Sequence, residues 1–313
     1  MISHVILHYN RPWLLKAHID LIRHFCPSVS EIIIADDGSD SRVINYISKI
    51  GANDVYVQKN HLHEWDKSSA SNTLINSIKR CKNKYISFSE DDFFVCPSGI
   101  DDSSFYNNGE YPSGKISGGC DPLEDCLFLF KNQRAIIIQP SRDANGWKGV
   151  PCTGKTRANK STWCQIDHEK KKRFYYSNWP WVMQYQVAKH LDIPRDSGMW
   201  RVESHLNKWM TKNFGNGNWN WCAQKRMFIH VGLPFSKKDM RYSDNTEKSM
   251  IRNEQSKAFA DSIGHKQNFE NINDFNNIFL EKWLEKKSEI LVQSLSENGI
   301  KNTFERFATE VMS

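Results

Sequence analysis

No stretch of eighteen apolar residues occurs anywhere in the 313 residues, so nothing in the sequence reads as a membrane-spanning helix. The compositional mark of disorder is missing too. With 39% hydrophobic and 25% charged residues, the chain has enough apolar material for a soluble, globular core, either one large domain or a core domain with appendages. Cys-x-x-Cys pairs, which zinc and redox centres favour, are absent. The eight cysteines (26, 81, 96, 120, 126, 152, 164 and 222) are scattered and read as reduced, mostly buried thiols, with Cys120/Cys126 and Cys152/Cys164 the only spacings of note. The opening "MISHVILHYNRP" lacks the basic start, long apolar run and small-residue cleavage site of a secretory leader, which makes a cytoplasmic location the expectation. No internal repeat appears. The formal net charge of +6 is a modest excess carried by clusters such as "KRCKNK" (79–84), "EKKKR" (169–173) and "KKDMR" (237–241). Such clusters are usually solvated faces, though they suit a phosphate-bearing or polyanionic ligand.

What the sequence does have is alternation. "HVILHY" (4–9) is a short apolar run, and "PWLLKAHIDLIRHF" (12–25) spaces Leu14, Leu15, Ile19, Leu21, Ile22 and Phe25 along one helical face. The β-branched "EIIIADDGSD" (31–40) precedes the helical "SRVINYISKI" (41–50); "DVYVQKN" (54–60) precedes "SSASNTLINSIKRC" (68–81); "KYISFSEDD" closes the series. Four strand–helix alternations predict an α/β layer with a mainly parallel sheet. Ligands of such sheets gather beyond the carboxyl ends of the strands. The polar residues Tyr9, Asn10 and Arg11, then Asp36 to Ser39, then Glu90 to Asp92 all fall there, so one cleft is expected to collect them.

Beyond residue 95 the pattern loosens. Residues 97–125 read as a long loop, "CLFLFKNQ" and "AIIIQPS" as resumed strand, 143–172 as polar loop, and 174–191 as an aromatic cluster turning helical. From about 250 onward the pattern is that of amphipathic helices, clearest over 274–295.

Within "YISFSEDDFFV" (85–95), three consecutive acids end a hydrophobic strand. An arbitrary acidic triplet is usually a solvated turn. At a strand end flanked by apolar residues, crowded carboxylates raise one another's pKa, and a bound cation relieves the repulsion.

The order of these motifs resembles the GT-A glycosyltransferases, especially the inverting family 2-like group. The resemblance covers about residues 1–95 well and 174–236 more thinly. "HYNRPWLLKAHIDL" is similar to that family's opening strand and turn, "IIIADDGSD" to its nucleotide-recognition turn, and "SSASNTLINSIKRCKNKYISFSEDD" to the helix and strand that deliver its metal-binding acids. The resemblance implies a GT-A domain over 1–240, with a nucleotide-sugar half at about 1–95 and an acceptor half at about 96–240, and a helical C-terminal extension over 241–313. It also implies a nucleotide-sugar donor, with a UDP-sugar the expected one, bound by Tyr9, Asn10, Arg11, Asp36, Asp37, Lys67, Asn72 and Asp91. The family's Asp-x-Asp motif falls on Glu90-x-Asp92, so Glu90 and Asp92 are the expected ligands of Mn2+ or Mg2+, hard cations that suit oxygen donors. "RMFIHVGLPFS" (226–236) resembles the segment that returns a histidine to the metal, which makes His230 the third candidate ligand. "MWRVESHLNKW" (199–209) puts Glu203 where such enzymes carry the base for the acceptor hydroxyl. A lone strand-end histidine and a helix glutamate are each about as often purely structural.

Trp179, Trp181, Trp219 and Trp221 read either as a stacking wall or as core, with core preferred for half of them. A glycan or lipid-linked sugar is the ordinary acceptor of the family, and DNA carrying a hydroxymethylated base is a rarer one that the basic clusters permit. A sugar nucleotidyltransferase should open with a Gly-rich phosphate loop, and "HYNRP" has no glycine. A non-catalytic glycan- or nucleotide-binding module is disfavoured by the acidic triplet, because clustered charge gives a merely structural domain nothing.

Overall fold

The computed structural model describes residues 1–9, 12–39, 41–59, 61–62, 67–100, 121–143, 152–159, 161–166, 180–215 and 219–230. Strand β1 (Ile2–His8) lies at the centre of a parallel group, paired with β2 (Val29–Asp36) on one side and β4 (Tyr85–Glu90) on the other. Strand β3 (Asp54–Val57) extends the group beyond β2, also in parallel. Helices α1 (Pro12–Phe25), α2 (Ser41–Ile47) and α3 (Ala70–Ile78) occupy the connections. Pro12 stands at the first position of α1, where its missing N–H leaves no bond unmade, and Arg23 and His24 fall in the last turn, beside the exposed carbonyls.

The period of two along β1 builds two cores. All seven of its residues are buried. Ile2 and Ile6 share one core with Leu15, Ile19 and Ile22 of α1 and Val43 and Ile47 of α2. Val5 and Leu7 face the other way and share the second core with Leu74 and Ile78 of α3. Each such aliphatic side chain contributes about 1.5–3 kcal/mol on burial, and truncating Ile6 to alanine, with the cavity it leaves, costs about 2–5 kcal/mol. The alternation that builds these cores also decides which polar residues at the strand ends can meet.

The sheet continues through β9 (Trp181–Gln184), β6 (Ile137–Asp143), β10 (Asn220–Ala223), β8 (Ser161–Ile166) and β7 (Cys152–Ala158), giving nine strands in the order β3-β2-β1-β4-β9-β6-β10-β8-β7. The first four are parallel; beyond β4 only β6 and β10 pair in parallel. Helix α4 (Pro122–Asn132) joins the α1 core, and α5 (Tyr185–Ala188) and α6 (Met199–Phe214) join the α3 core. This is the α/β class expected from the GT-A resemblance, a large sheet with helices on both faces. A separate two-stranded ribbon is formed by β5 (Phe93–Ile100) and β11 (Arg226–His230).

Three expectations are corrected here. "CLFLFKN" is the body of α4, not a strand. Asp121 caps that helix, accepting from the N–H groups of Leu123 at 2.8 Å and Glu124 at 3.1 Å, Pro122 follows at the first helical position, and Leu123, Cys126, Leu129 and Phe130 are buried at helical spacing. The short apolar run hid that spacing. Part of the supposed loop over 143–172 is the β7–β8 hairpin at the sheet edge, where Asn159, at φ 47°, takes the left-handed conformation a tight hairpin turn requires. Lys155 and Arg157 place charge on that edge strand, a pattern that discourages further strand addition. Residues 97–100 belong to β5, so the loop begins later than expected. The region 241–313, and with it the expected helical extension, lies outside the described residues.

Of the six cysteines with described side chains, five are buried and Cys152 is exposed. Burial pushes the Cys81 thiol up to about 12 and raises Cys26 and Cys126 well above the usual thiol range, which makes them poor nucleophiles.

Candidate functional site

Three neighbouring parallel strands, β2, β1 and β4, end together, and their register sets Asp36 opposite His8 and Leu7 opposite Glu90. Two backbone bonds tie the ends: Asp37 N–H donates to His8 O at 2.9 Å, and Asp91 N–H donates to Leu7 O at 3.1 Å. Alternation then sorts the side chains. Ile32, Ile34, Ile2 and Ile6 lie in the α1 core, so Asp36 and His8, two residues further on, lie on that face. In β4, Ile86 and Phe88 lie in the α3 core, which leaves Ser87, Ser89 and Asp91 for the α1 face. Asp36, His8 and Asp91 therefore form a row across three strand ends. The His8 imidazole Nδ1 lies 2.8 Å from Asp36 Oδ2, and its Nε2 lies 4.0 Å from Asp91 Oδ2. All three side chains are fully buried.

Asp36 organises the turn that follows β2. Its Oδ1 accepts from the N–H groups of Gly38 at 3.1 Å and Ser39 at 2.8 Å; its Oδ2 accepts from His8 and, at 2.6 Å, from Ser39 Oγ. A carboxylate has about four lone-pair sites, and all are filled. Burial by itself pushes the Asp36 pKa up, but the His8 and Ser39 hydrogen bonds outweigh it and the net shift is downward. Gly38, at φ 85°, makes the turn possible, since a Cβ there would stand 3.0 Å from His61 Cβ and 3.1 Å from Gln58 O.

Asp37 points toward α3. Its Oδ1 accepts from Thr73 Oγ1 at 2.7 Å, and its Oδ2 lies 3.3 Å from His61 Nδ1. Burial raises its pKa, opposed by hydrogen bonds from Thr73 and Ser69 and by His61. The His61 ring stacks on Tyr9, with centroids 3.8 Å apart and planes within 8°, and Tyr9 remains 39% exposed. An exposed aromatic face beside a buried carboxylate is a surface on which a nucleobase can lie.

The acidic strand end has a second neighbour. Asp91 and Asp92 form the turn between β4 and β5 and are buried, while Glu90 closes β4 half-buried. In the β5–β11 ribbon the His230 backbone is registered opposite Phe93, one residue beyond Asp92. The His230 side chain lies outside the described residues. Among residues with described side chains, no group of three or more histidine, cysteine, aspartate and glutamate side chains is gathered to hold a metal ion. By chemistry and backbone placement, Glu90, Asp92 and His230 fit a hard divalent cation, with oxygen donors supplemented by one imidazole.

The remaining expected residues are placed unevenly. Asn10 and Arg11 lie outside the described residues. Lys67 is exposed on the segment entering α3. The Asn72 amide donates to Asp196 Oδ1 at 2.6 Å, which binds α3 to the segment before α6. Glu203 is half-buried in the second turn of α6, whose Val202, Leu206 and Met210 lie in the α3 core. Of the two readings of the tryptophans, core holds for three: Trp181, Trp219 and Trp221 are buried at 0%, 4% and 4% exposure, and Trp181 stacks on Phe88 in the core. Trp179 lies outside the described residues. Sequence reasoning missed His8, His61 and Thr73. His8 had a usable signal, since it continues the Ile2, His4, Ile6 face to the strand end; His61 and Thr73 are brought in by the tertiary fold alone.

No family model matches the chain, and no curated protein matches it by sequence. Solved structures overlay it at low identity. Staphylococcus aureus TarS does so at 12% identity and a TM-score of 0.46, over 84% of this chain and 43% of its own, so the chain spans less than half of that protein's length. The glucosyl-3-phosphoglycerate synthase of Mycobacterium tuberculosis, in complex with Mn2+, UDP and phosphoglyceric acid, does so at 12% and 0.43, over 84% of this chain and 78% of its own. The mannosyltransferase PcManGT of Pyrobaculum calidifontis, in complex with GDP-Man and Mn2+, does so at 9% and 0.46, over 99% and 79%. At these identities and TM-scores the functional reading rests on the site's own residues. Among the described residues no helix is long and apolar enough to cross a membrane.

Proposed function

We propose that the chain is a metal-dependent glycosyltransferase of the GT-A kind, moving a sugar from a nucleotide donor, a UDP-sugar first among the candidates, to an acceptor hydroxyl with inversion. The acceptor in this reading is a glycan or lipid-linked sugar. The observation that supports it is the Asp36, His8, Asp91 row, which puts the turn after β2 and the acids after β4 side by side at the carboxyl ends of parallel strands, where such sheets bind ligands.

Each residue has a task. Tyr9 offers its exposed ring to the base, and Asp37 is the carboxylate left to accept from it, because Asp36 is saturated by its own turn. Asp91, in the same row, meets the ribose or the sugar. Glu90, Asp92 and His230 would hold Mn2+ or Mg2+, which when bound neutralises the departing diphosphate without proton transfer. Glu203 takes the acceptor proton as the hydroxyl attacks the anomeric carbon. Lys67, with Asn10 and Arg11, supplies charge and hydrogen bonds to the phosphates.

A screen of nucleotide sugars for hydrolysis by the purified protein, with Mn2+, Mg2+ or chelator, tests the reading. Metal-dependent release of the nucleoside diphosphate is expected for at least one donor. Binding without turnover for every donor would instead assign the chain to the non-catalytic class.

A further inference from the structure

The row at the strand ends has a residue at its centre to which the proposed chemistry gives no task. His8 is buried at 1% exposure, is directly paired in register with Asp36, and stands one residue beyond the Leu7–Glu90 pair that precedes Asp91. Its Nδ1 lies 2.8 Å from Asp36, within hydrogen-bond distance. Its Nε2 faces Asp91 at 4.0 Å, within electrostatic reach but longer than a hydrogen bond. One ring thus touches both acidic motifs, which are more than fifty residues apart in sequence. The backbone repeats the connection, since the His8 carbonyl accepts from Asp37 N–H at 2.9 Å.

We propose that His8 is a positioning residue that couples the nucleoside-binding turn to the acidic end of β4, so that the base and the transferred sugar of one donor are held in a fixed relation. The inference rests on the glycosyltransferase reading. The imidazole is rigid and has two nitrogens on opposite sides of its ring, so moving one edge moves the other. Through Nδ1 it fixes Asp36, and Asp36 fixes the Gly38–Ser39 turn that presents Asp37. Through Nε2 it acts electrostatically on Asp91 across 4.0 Å. A hydrophobic residue of similar size would fill the space and leave the two motifs joined only through the β1 backbone.

Two amide substitutions separate the two edges. The Asn side-chain nitrogen takes the place of Nδ1, and the Gln nitrogen that of Nε2. In His8→Asn the bond to Asp36 survives and the reach to Asp91 is lost, so the dissociation constant for UDP or GDP with Mg2+ should stay within about 3-fold of wild type, while kcat for donor turnover falls about 10-fold. His8→Gln should do the reverse, weakening nucleotide binding by about 10-fold while kcat at saturating donor stays within about 3-fold; losing the hydrogen bond to the charged Asp36 corresponds to a change of this size. A merely structural histidine gives no such split: equal effects of both substitutions on both parameters, or no effect, overturn the proposal.

The folded wild-type protein supplies a second readout. Its His8 ring 15N resonances, assigned through bonds, should shift at both nitrogens when UDP or GDP binds with Mg2+. Nucleotide binding without any His8 shift overturns the His8 inference alone. A wild-type protein that binds neither nucleotide overturns the glycosyltransferase reading and this inference together.

Discussion

Strand β1 carries two buried histidines on the same face, four residues apart, in opposite chemical settings. In mid-strand, His4 Nε2 lies 2.9 Å from His18 Nε2 of α1, with Ser89 Oγ 3.2 Å and 3.1 Å from the two nitrogens. The rings are stacked 5.2 Å apart, the hydrogen bonds run among His4, His18 and Ser89, and the charge of Asp92 acts on His18 but is outweighed by burial. At the strand end, His8 stands between Asp36 and Asp91. Burial drives the His18 pKa down to about 4 and the His4 pKa well below the ordinary value, so the mid-strand pair is neutral at pH 7 and serves the core. The comparison sets an expectation: polar groups between the layers belong to the core, and those at the carboxyl ends of the strands, where such sheets bind ligands, belong to the proposed site. Changes at the strand ends should therefore affect activity more than stability, and changes in mid-strand the reverse.

The largest expected effect is at the end. Asp92→Asn should abolish transfer, because in the proposed reaction this carboxylate would hold the cation, while the melting temperature stays within a few degrees. Transfer at wild-type rate in that variant, at saturating or limiting metal, would remove Asp92 from the site.

The mid-strand pair should appear as acid sensitivity. The folded His18 pKa of about 4 lies below the ordinary 6.5, so the unfolded chain binds more protons between these values. Stability is therefore fully present above about pH 6.5 and is lost as the pH falls toward 4, by on the order of 3 kcal/mol from this group. Denaturant titrations at pH 7, 5.5 and 4.5, in chelator, check the slope. A flat profile would mean that the histidines titrate as they do in the unfolded chain.

Glu203→Gln is the next largest. Removing basicity while keeping size should lower the transfer rate constant by roughly 10²-fold with donor affinity unchanged, and the product should be of inverted configuration. Retained configuration or unchanged turnover would move the base elsewhere without disturbing the strand-end row.

The smallest effect falls between the two regions. Gly38→Ala forces a side chain into a left-handed turn against His61 and Gln58, at about 1–3 kcal/mol. Because the same turn presents Asp37, nucleotide affinity should weaken along with stability, measured by thermal melting and by titration with UDP or GDP.

The strand and helix pattern of the first ninety residues was readable because buried parallel strands and amphipathic helices write different periods, and the boundaries of α1 and β2 follow that pattern closely. The convergence of Tyr9, Asp36 and Asp91 was readable because parallel strands end on one side. The partners of these residues were not. Nothing local in "KNHLH" announces that His61 stacks on Tyr9, or in "SNTLIN" that Thr73 donates to Asp37, since both contacts depend on how loops and helices cross the strand ends. The tryptophans stayed open between core and wall because an aromatic cluster has the same composition in either, and the α4 run misled because a short apolar run does not show its helical spacing.

The central claim is that the nucleoside turn and the acidic strand end form one cleft, and thermodynamic linkage tests it most directly. Titration of UDP and GDP into the wild-type protein, with and without Mn2+, and of Mn2+ with and without the nucleotide, should give reciprocal enhancement by the same factor, about 10-fold or more. Asp92→Asn should abolish that enhancement while leaving the metal-free nucleotide affinity in place. Independent binding of metal and nucleotide, with no mutual effect, would contradict the account.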